Sequence, residues 1–96
     1  MERNKAYVIS PDRSTDEVIP GNLETFELED LQQFVGGYIQ IIDLFDGRIM
    51  VINEEGKILH LEENPKATAI ALNHNAIFPF DYIVGKALIC PSEMVP

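Results

Sequence analysis

Apolar residues along the chain fall into short runs separated by turn chemistry, with one stretch of helical period. Ala6-Tyr7-Val8-Ile9 is a β-favouring run closed by Ser10-Pro11-Asp12, whose proline lacks the amide that a central ladder needs, and it predicts a first strand. From Thr25 the period lengthens. Leu28, Leu31 and Val35 recur at i, i+3 and i+7 with Phe34 beside them, while Glu29, Asp30, Gln32 and Gln33 occupy the other face, which predicts a one-sided helix. Thr25 is placed to cap its first turn, acidic residues sit near its N-terminus, and Gly36-Gly37 stops it with a residue free to turn left-handed.

Tyr38 to Ile42 then predicts a strand, the Asp43 to Gly47 segment a turn, and Arg48 to Ile52 the returning strand. A second turn at Asn53-Glu54-Glu55-Gly56-Lys57 leads into Ile58 to Leu61, so these three runs are expected to form an antiparallel meander. Their near-continuous Ile and Val content leaves the buried face undecided by alternation. Asn64-Pro65 predicts a capped helix start, followed by a short alanine-rich helix of about two turns. Tyr82 to Cys90 predicts the last strand, with Gly85 marking a bulge or a close backbone approach.

The expected architecture is therefore α+β: an antiparallel sheet made of the meander plus N- and C-terminal strands, with one amphipathic and one short helix. Its 96 residues suit a single domain spanning 1–96, with an irregular acidic segment at 11–24, a possible extended piece at Val18-Ile19, and a short flexible tail at 91–96. Hydrophobic residues make up 46% of the chain and charged residues 24%, a globular composition.

Charge narrows the possible partners. Sixteen acidic residues against seven basic ones give a net charge of −9, which repels nucleic-acid phosphates and anionic lipid and attracts basic protein surfaces. Direct nucleic-acid binding would require Arg3, Lys5, Arg13, Arg48, Lys57, Lys66 and Lys86 to gather on one face, although they are spread along the chain. No run is long enough to span a membrane, and the first apolar run is too short for a signal peptide, so the cytoplasm is the expected compartment. One cysteine, Cys90, leaves no intramolecular disulfide to form.

Several segments taken together resemble a known family. Leu28 to Tyr38, the Asn53 to Lys57 turn, Asn64-Pro65 with its alanine-rich continuation, and Asp81-Tyr82-Ile83-Val84-Gly85 follow one another as in the domain-of-unknown-function family numbered 3846. The resemblance covers roughly Lys5 to Cys90 and implies a small α+β protein of phages, mobile elements and gut-type bacterial genomes. It implies no activity, ligand or catalytic residue, and the polar Pro11 to Glu24 stretch departs from the family pattern.

Candidate chemistry is sparse. His60 and His74 lack the close ligand pair of a structural zinc site, and Cys90 at the end of a strand has no cationic neighbour in sequence to activate it. Asp43 and Asp46 lie in one meander turn and Glu54 and Glu55 in the next, at opposite ends of the middle strand, so at most one pair holds a divalent ion weakly. Asp12, Asp16, Glu17, Glu24, Glu27, Glu29 and Asp30, against Arg13 alone, form a candidate acidic interaction surface for a basic protein. Such a surface could imitate nucleic-acid phosphates and inhibit a DNA-binding enzyme, although a solvated acidic face that keeps a small protein soluble is the plainer explanation. Of the aromatics, Phe34, Phe78 and Tyr82 are expected to pack, and Phe45 to be exposed beside its turn as part of a homodimer face. The resulting expectation is a non-enzymatic module, without cofactor or catalytic residue, that binds a basic protein or itself through a sheet face or edge. A small hydrolase or metal-dependent enzyme with an unrecognised site is the different-class alternative.

Overall fold

A computed structural model describes all residues, Met1–Pro96. Seven elements follow one another: β1 (Ala6–Ile9), β2 (Thr15–Val18), α1 (Leu28–Val35), β3 (Ile39–Asp43), β4 (Arg48–Asn53), α2 (Pro65–Asn73) and β5 (Ala87–Pro91), with a short 3₁₀ turn at Ser92–Met94. The strands form one antiparallel sheet in the order β2-β1-β5-β4-β3. The α+β class, the five antiparallel strands and the two helices agree with the sequence reading.

The unbroken apolar runs are explained by two covered faces. On one face Ala6, Val8, Ile49, Val51, Leu88 and Cys90 pack with Phe26, Leu31 and Val35 of the α1 layer. On the other, Ile9, Ile42, Leu44, Met50, Ala87 and Ile89 pack with Ala67 and Ala71 of α2 and with Ile83. A central strand with both sides buried has no polar positions to alternate with, and all five residues of β5 are buried. Alanines one turn apart let α2 lie close to the sheet.

Several expectations change in detail. Ile58 to Leu61 is not a strand: the amides of Leu59, His60 and Leu61 bond back to Glu55, Lys57 and Gly56 in successive turns, and His60 has φ 56°. The place beside β4 that a third meander strand would fill belongs to β5, paired Ile49↔Cys90 and Val51↔Leu88. The fifth strand is instead β2, inside the segment expected to be irregular. Asp12 folds a tight turn by accepting from the Ser14 amide at 2.9 Å, which returns Thr15–Val18 alongside β1. Charged Asp16 and Glu17 hid this strand, because their exposure is tolerated only at a sheet edge.

The residues after Cys90, expected to form a loose tail, are tied to the body. Pro91 pairs with Arg48, the Ser92 amide donates to Gly47 O (2.9 Å), and Met94 O accepts from the Phe26 amide (2.9 Å). The cap of α1 is Glu27 in a reciprocal box with Asp30, whose Oδ2 accepts from the Glu27 amide at 3.1 Å. Thr25 is instead part of an Asn22 turn. Gly36 at φ 80° ends the helix as expected.

Candidate functional site

A concavity lies where β3 and β4 meet the segment after α2, and its walls follow from local features of the chain. At the end of β4 the buried Asn53 donates through Nδ2 to Val35 O (3.1 Å) and accepts at Oδ1 from the Glu55 amide (2.8 Å), which folds the chain back sharply. Gly56 then rests on Val84, where a Cβ would stand 2.7 Å from Cγ2. Only glycine permits that approach, and it sets Lys57 and Ile58 along one wall.

The opposite wall follows the last turn of α2. Asn75 at φ 53° and the bond from the Ala76 amide to Ala71 O (2.9 Å) lead the chain out to Phe78-Pro79-Phe80. The Asp81 amide donates to Phe78 O (2.9 Å), closing a turn around Pro79, and the two phenyl rings stack in parallel with centroids 5.6 Å apart. Both rings face solvent, at 70% and 83% exposure. The expectation that Phe78 and Tyr82 pack inside is thus corrected: this turn projects beyond the α2 core layer, whereas Phe34 meets Phe26 edge-on at 5.5 Å and Phe45 is exposed as expected.

Between the walls is a cleft of about 440 Å³, lined by nine hydrophobic residues among sixteen, with Gln40 and Ile42 of β3 and Ile52 of β4 contributing. Lys57 pairs with Asp81 and places its ammonium 4.5 Å from the centre of the Tyr82 ring. The hydrogen bond from Lys57 holds the Asp81 carboxyl below the usual carboxylate range. No His, Cys, Ser or Thr lines the cleft, and its one cation is already engaged. The arrangement suits an apolar side chain entering between Ile58, Phe78 and Tyr82, with polar groups at the rim.

The remaining sequence candidates are dispersed. His74 donates from Nδ1 to Ile70 O (2.9 Å) and turns Nε2 to Asp46 Oδ2 (3.2 Å), so both ring nitrogens are occupied; His60 sits on the exposed 54–61 turn. Asp46 also accepts from Arg48 (Nη2 2.8 Å, Nε 3.1 Å) and pairs with Arg3 at 3.3 Å. Asp43 accepts from the Phe45 amide (2.7 Å), and Glu54 and Glu55 lie beyond the other end of β4. No three His, Cys, Asp or Glu side chains stand close enough to share a metal ion.

Cys90 is fully buried, and burial, assisted by nearby Glu93, pushes its thiol up to about 12. It is expected to resist an aromatic disulfide reagent at pH 8 in the native protein and to react once unfolded in urea. Stoichiometric labelling within minutes without denaturant would contradict this placement.

The acidic set is distributed over β2, the turn before it and the start of α1. Asp16 and Glu17 lie on β2 at one sheet edge, Glu17 within 3.7 Å of Lys5, while Glu27, Glu29 and Asp30 begin α1, which packs over β5, β4 and β3. Asp12 serves its turn, Glu27 and Asp30 serve the cap, and Glu24 is exposed before the helix. The exposed cleft aromatics were the residues that sequence reasoning missed. The available signal was Phe-Pro-Phe, because a proline turn between two aromatics lifts that segment out of the regular elements that form the core.

No helix is long and apolar enough to cross a membrane. The family described as a domain of unknown function, DUF3846, matches over residues 4–94. No curated protein and no solved structure matches the chain.

Proposed function

The chain belongs to the DUF3846 family, and we propose that it is a non-enzymatic module that binds another protein, anchored by an apolar side chain in the cleft beside β3. One observation carries this reading: Ile58, Phe78, Phe80 and Tyr82 are all exposed and sit on or beside the rim of one cleft, while the central strands β1, β5 and β4 are covered on both faces. Exposed aromatics grouped around a depression are what a binding anchor needs, and single scattered ones are not. Covering of the central strands moves the expected contact from a face to the edge and the cleft. Net charge −9, with Glu54 at the rim and Lys57 neutralised by Asp81, favours a basic partner. The same reading has it act as an accessory protein of a mobile element or bacterial genome, in the cytoplasm.

Affinity capture from cells in which the gene is native tests the reading, with the wild type compared against a Phe78→Ala, Phe80→Ser double variant. Both substitutions fall on exposed rings, so folding should be unchanged by circular dichroism. The expected outcome is at least one basic protein retained by the wild type at about 0.15 M salt, reduced at about 0.5 M, and about 10-fold depleted by the double variant. Retention of the same proteins by both forms, or of none by either, overturns the assignment.

A further inference from the structure

Resting on the module reading above, we infer that the partner enters as an added β-strand along the open edge of β3, and that the segment it contributes combines apolar residues with a lysine or arginine. Hydrogen-bond parity leaves one side of β3 unpaired. Tyr38 O accepts from the Glu54 amide at 2.9 Å, and the Leu44 amide donates to Arg48 O at 3.1 Å. In an antiparallel ladder, bonding toward one neighbour recurs at every second residue, so Gln40 and Ile42 also bond to β4. The amides and carbonyls of Ile39, Ile41 and Asp43 point the other way, and none of the turn and loop backbone bonds reaches them. A row of unpaired strand groups is a template for another chain.

The two edges of this sheet are unlike, and the contrast singles out β3. The outward positions of β2 are Thr15 and Glu17; Lys66 bonds Thr15 Oγ1, and Lys5 lies 3.7 Å from Glu17, so that edge is short, charged and partly covered. β3 has five residues, no proline, no lysine or arginine, and no inserted residue in its pairing with β4. Its one charge, Asp43, stands at the end of the strand, and the run from Ile39 to Ile42 carries no device that protects an edge. Ile41 is 48% exposed there, with exposed Tyr38 before the strand and Phe45 after it.

Register then assigns a chemistry to each added position. Directly opposed residues of paired strands share a face. A residue opposite Gln40 or Ile42 therefore looks toward the cleft, which accounts for an apolar anchor. A residue opposite Ile41 meets an aliphatic side chain, and one opposite Asp43 meets an exposed carboxylate, which calls for Lys or Arg. A second copy of this chain is the poorer occupant, since it would bring together two molecules each of net charge −9.

Displayed random octapeptides selected on the purified full chain supply the probe, and the tightest binder is measured against two kinds of change. Ile41→Pro removes an amide that the fold does not use, as an edge strand tolerates on its solvent side, and blocks strand addition. The expected outcome is a peptide of the stated composition whose affinity falls at least about 10-fold on Ile41→Pro, with the melting profile checked. Because that variant could disturb the strand, the peptide is also N-methylated one residue at a time and bound to the wild type. Loss at alternate residues only is the pattern a strand produces. Uniform tolerance of N-methylation, with affinity still dependent on Phe78, overturns strand addition while leaving the module reading intact. Failure of any peptide to bind overturns the inference, whereas the module reading stands or falls on the capture experiment.

Discussion

Asn64→Ala is expected to cost about 3–5 kcal/mol of folding stability. Asn64 has no solvent exposure, and every polar atom of its side chain is used. Its Oδ1 accepts from the Ala67 amide at 3.0 Å and caps α2, while Nδ2 donates to Ile9 O at 2.9 Å and Gly85 O at 2.8 Å. One amide thereby joins β1, the approach to β5 and the start of α2. Loss of the cap accounts for about 1 kcal/mol, and loss of two fully buried bonds to backbone carbonyls, with the cavity the amide leaves, for roughly 1–2 kcal/mol each. Asn64→Asp separates the two contributions: it keeps the cap acceptor but sets an oxygen against both carbonyls, so at pH 7 it should be nearly as damaging. Urea unfolding measures both variants, and a loss below about 1 kcal/mol for Asn64→Ala would show that these bonds do not hold the three elements together.

The second large effect belongs to Asp46, and it depends on pH. The Arg48 guanidinium, buried with its backbone, donates to Asp46 through Nε and Nη2, and these bonds hold the carboxyl well down, at about 2 instead of 3.8. A carboxyl whose folded value is depressed stabilises the fold fully above its unfolded value and loses that contribution as pH falls through the folded value. The window therefore runs from about pH 5 to below pH 2, and the contribution at neutral pH is about 2 kcal/mol. Asp46→Asn should lower the urea midpoint accordingly at pH 7, with the gap to wild type closing as pH drops from 4 to 2. Asp46→Ala should cost more, about 2–4 kcal/mol, because a mostly buried guanidinium loses its principal partner. A gap that stays constant down to pH 2 would refute the assignment of this carboxylate.

The same two residues illustrate how much could be read before folding. Asn64-Pro65 announces a helix start because a cap and its proline act within one turn, and the cap role was legible. The bonds to Ile9 and Gly85 were not, since they join residues 55 and 21 positions away. Asp46 read as a turn acid, correctly, but its pairing with Arg3 and its contact with His74 arise only when the N-terminal segment and α2 reach the β3–β4 turn. At the candidate site, the turn that holds Gly56 was visible as a local feature, and the Phe78-Pro79-Phe80 turn went unread. Their meeting across a cleft was not legible, because the Ile58 to Leu61 run has strand composition and its actual turns are set by contact with Val84.

Local chemistry alone specified α1 and its glycine stop, the capped start of α2, the β3–β4 hairpin and the acidic balance of the molecule, because each depends on residues a few positions apart. Long-range packing specified the rest. β5 enters between β1 and β4, displaces the expected meander strand and buries both of its faces, a choice made by apolar surface that no neighbouring segment could cover. That insertion leaves β2 and β3 as the edges. The charges of β2 blunt one of them, and the uncharged run of β3 from Ile39 to Ile42 leaves the other open beside the cleft.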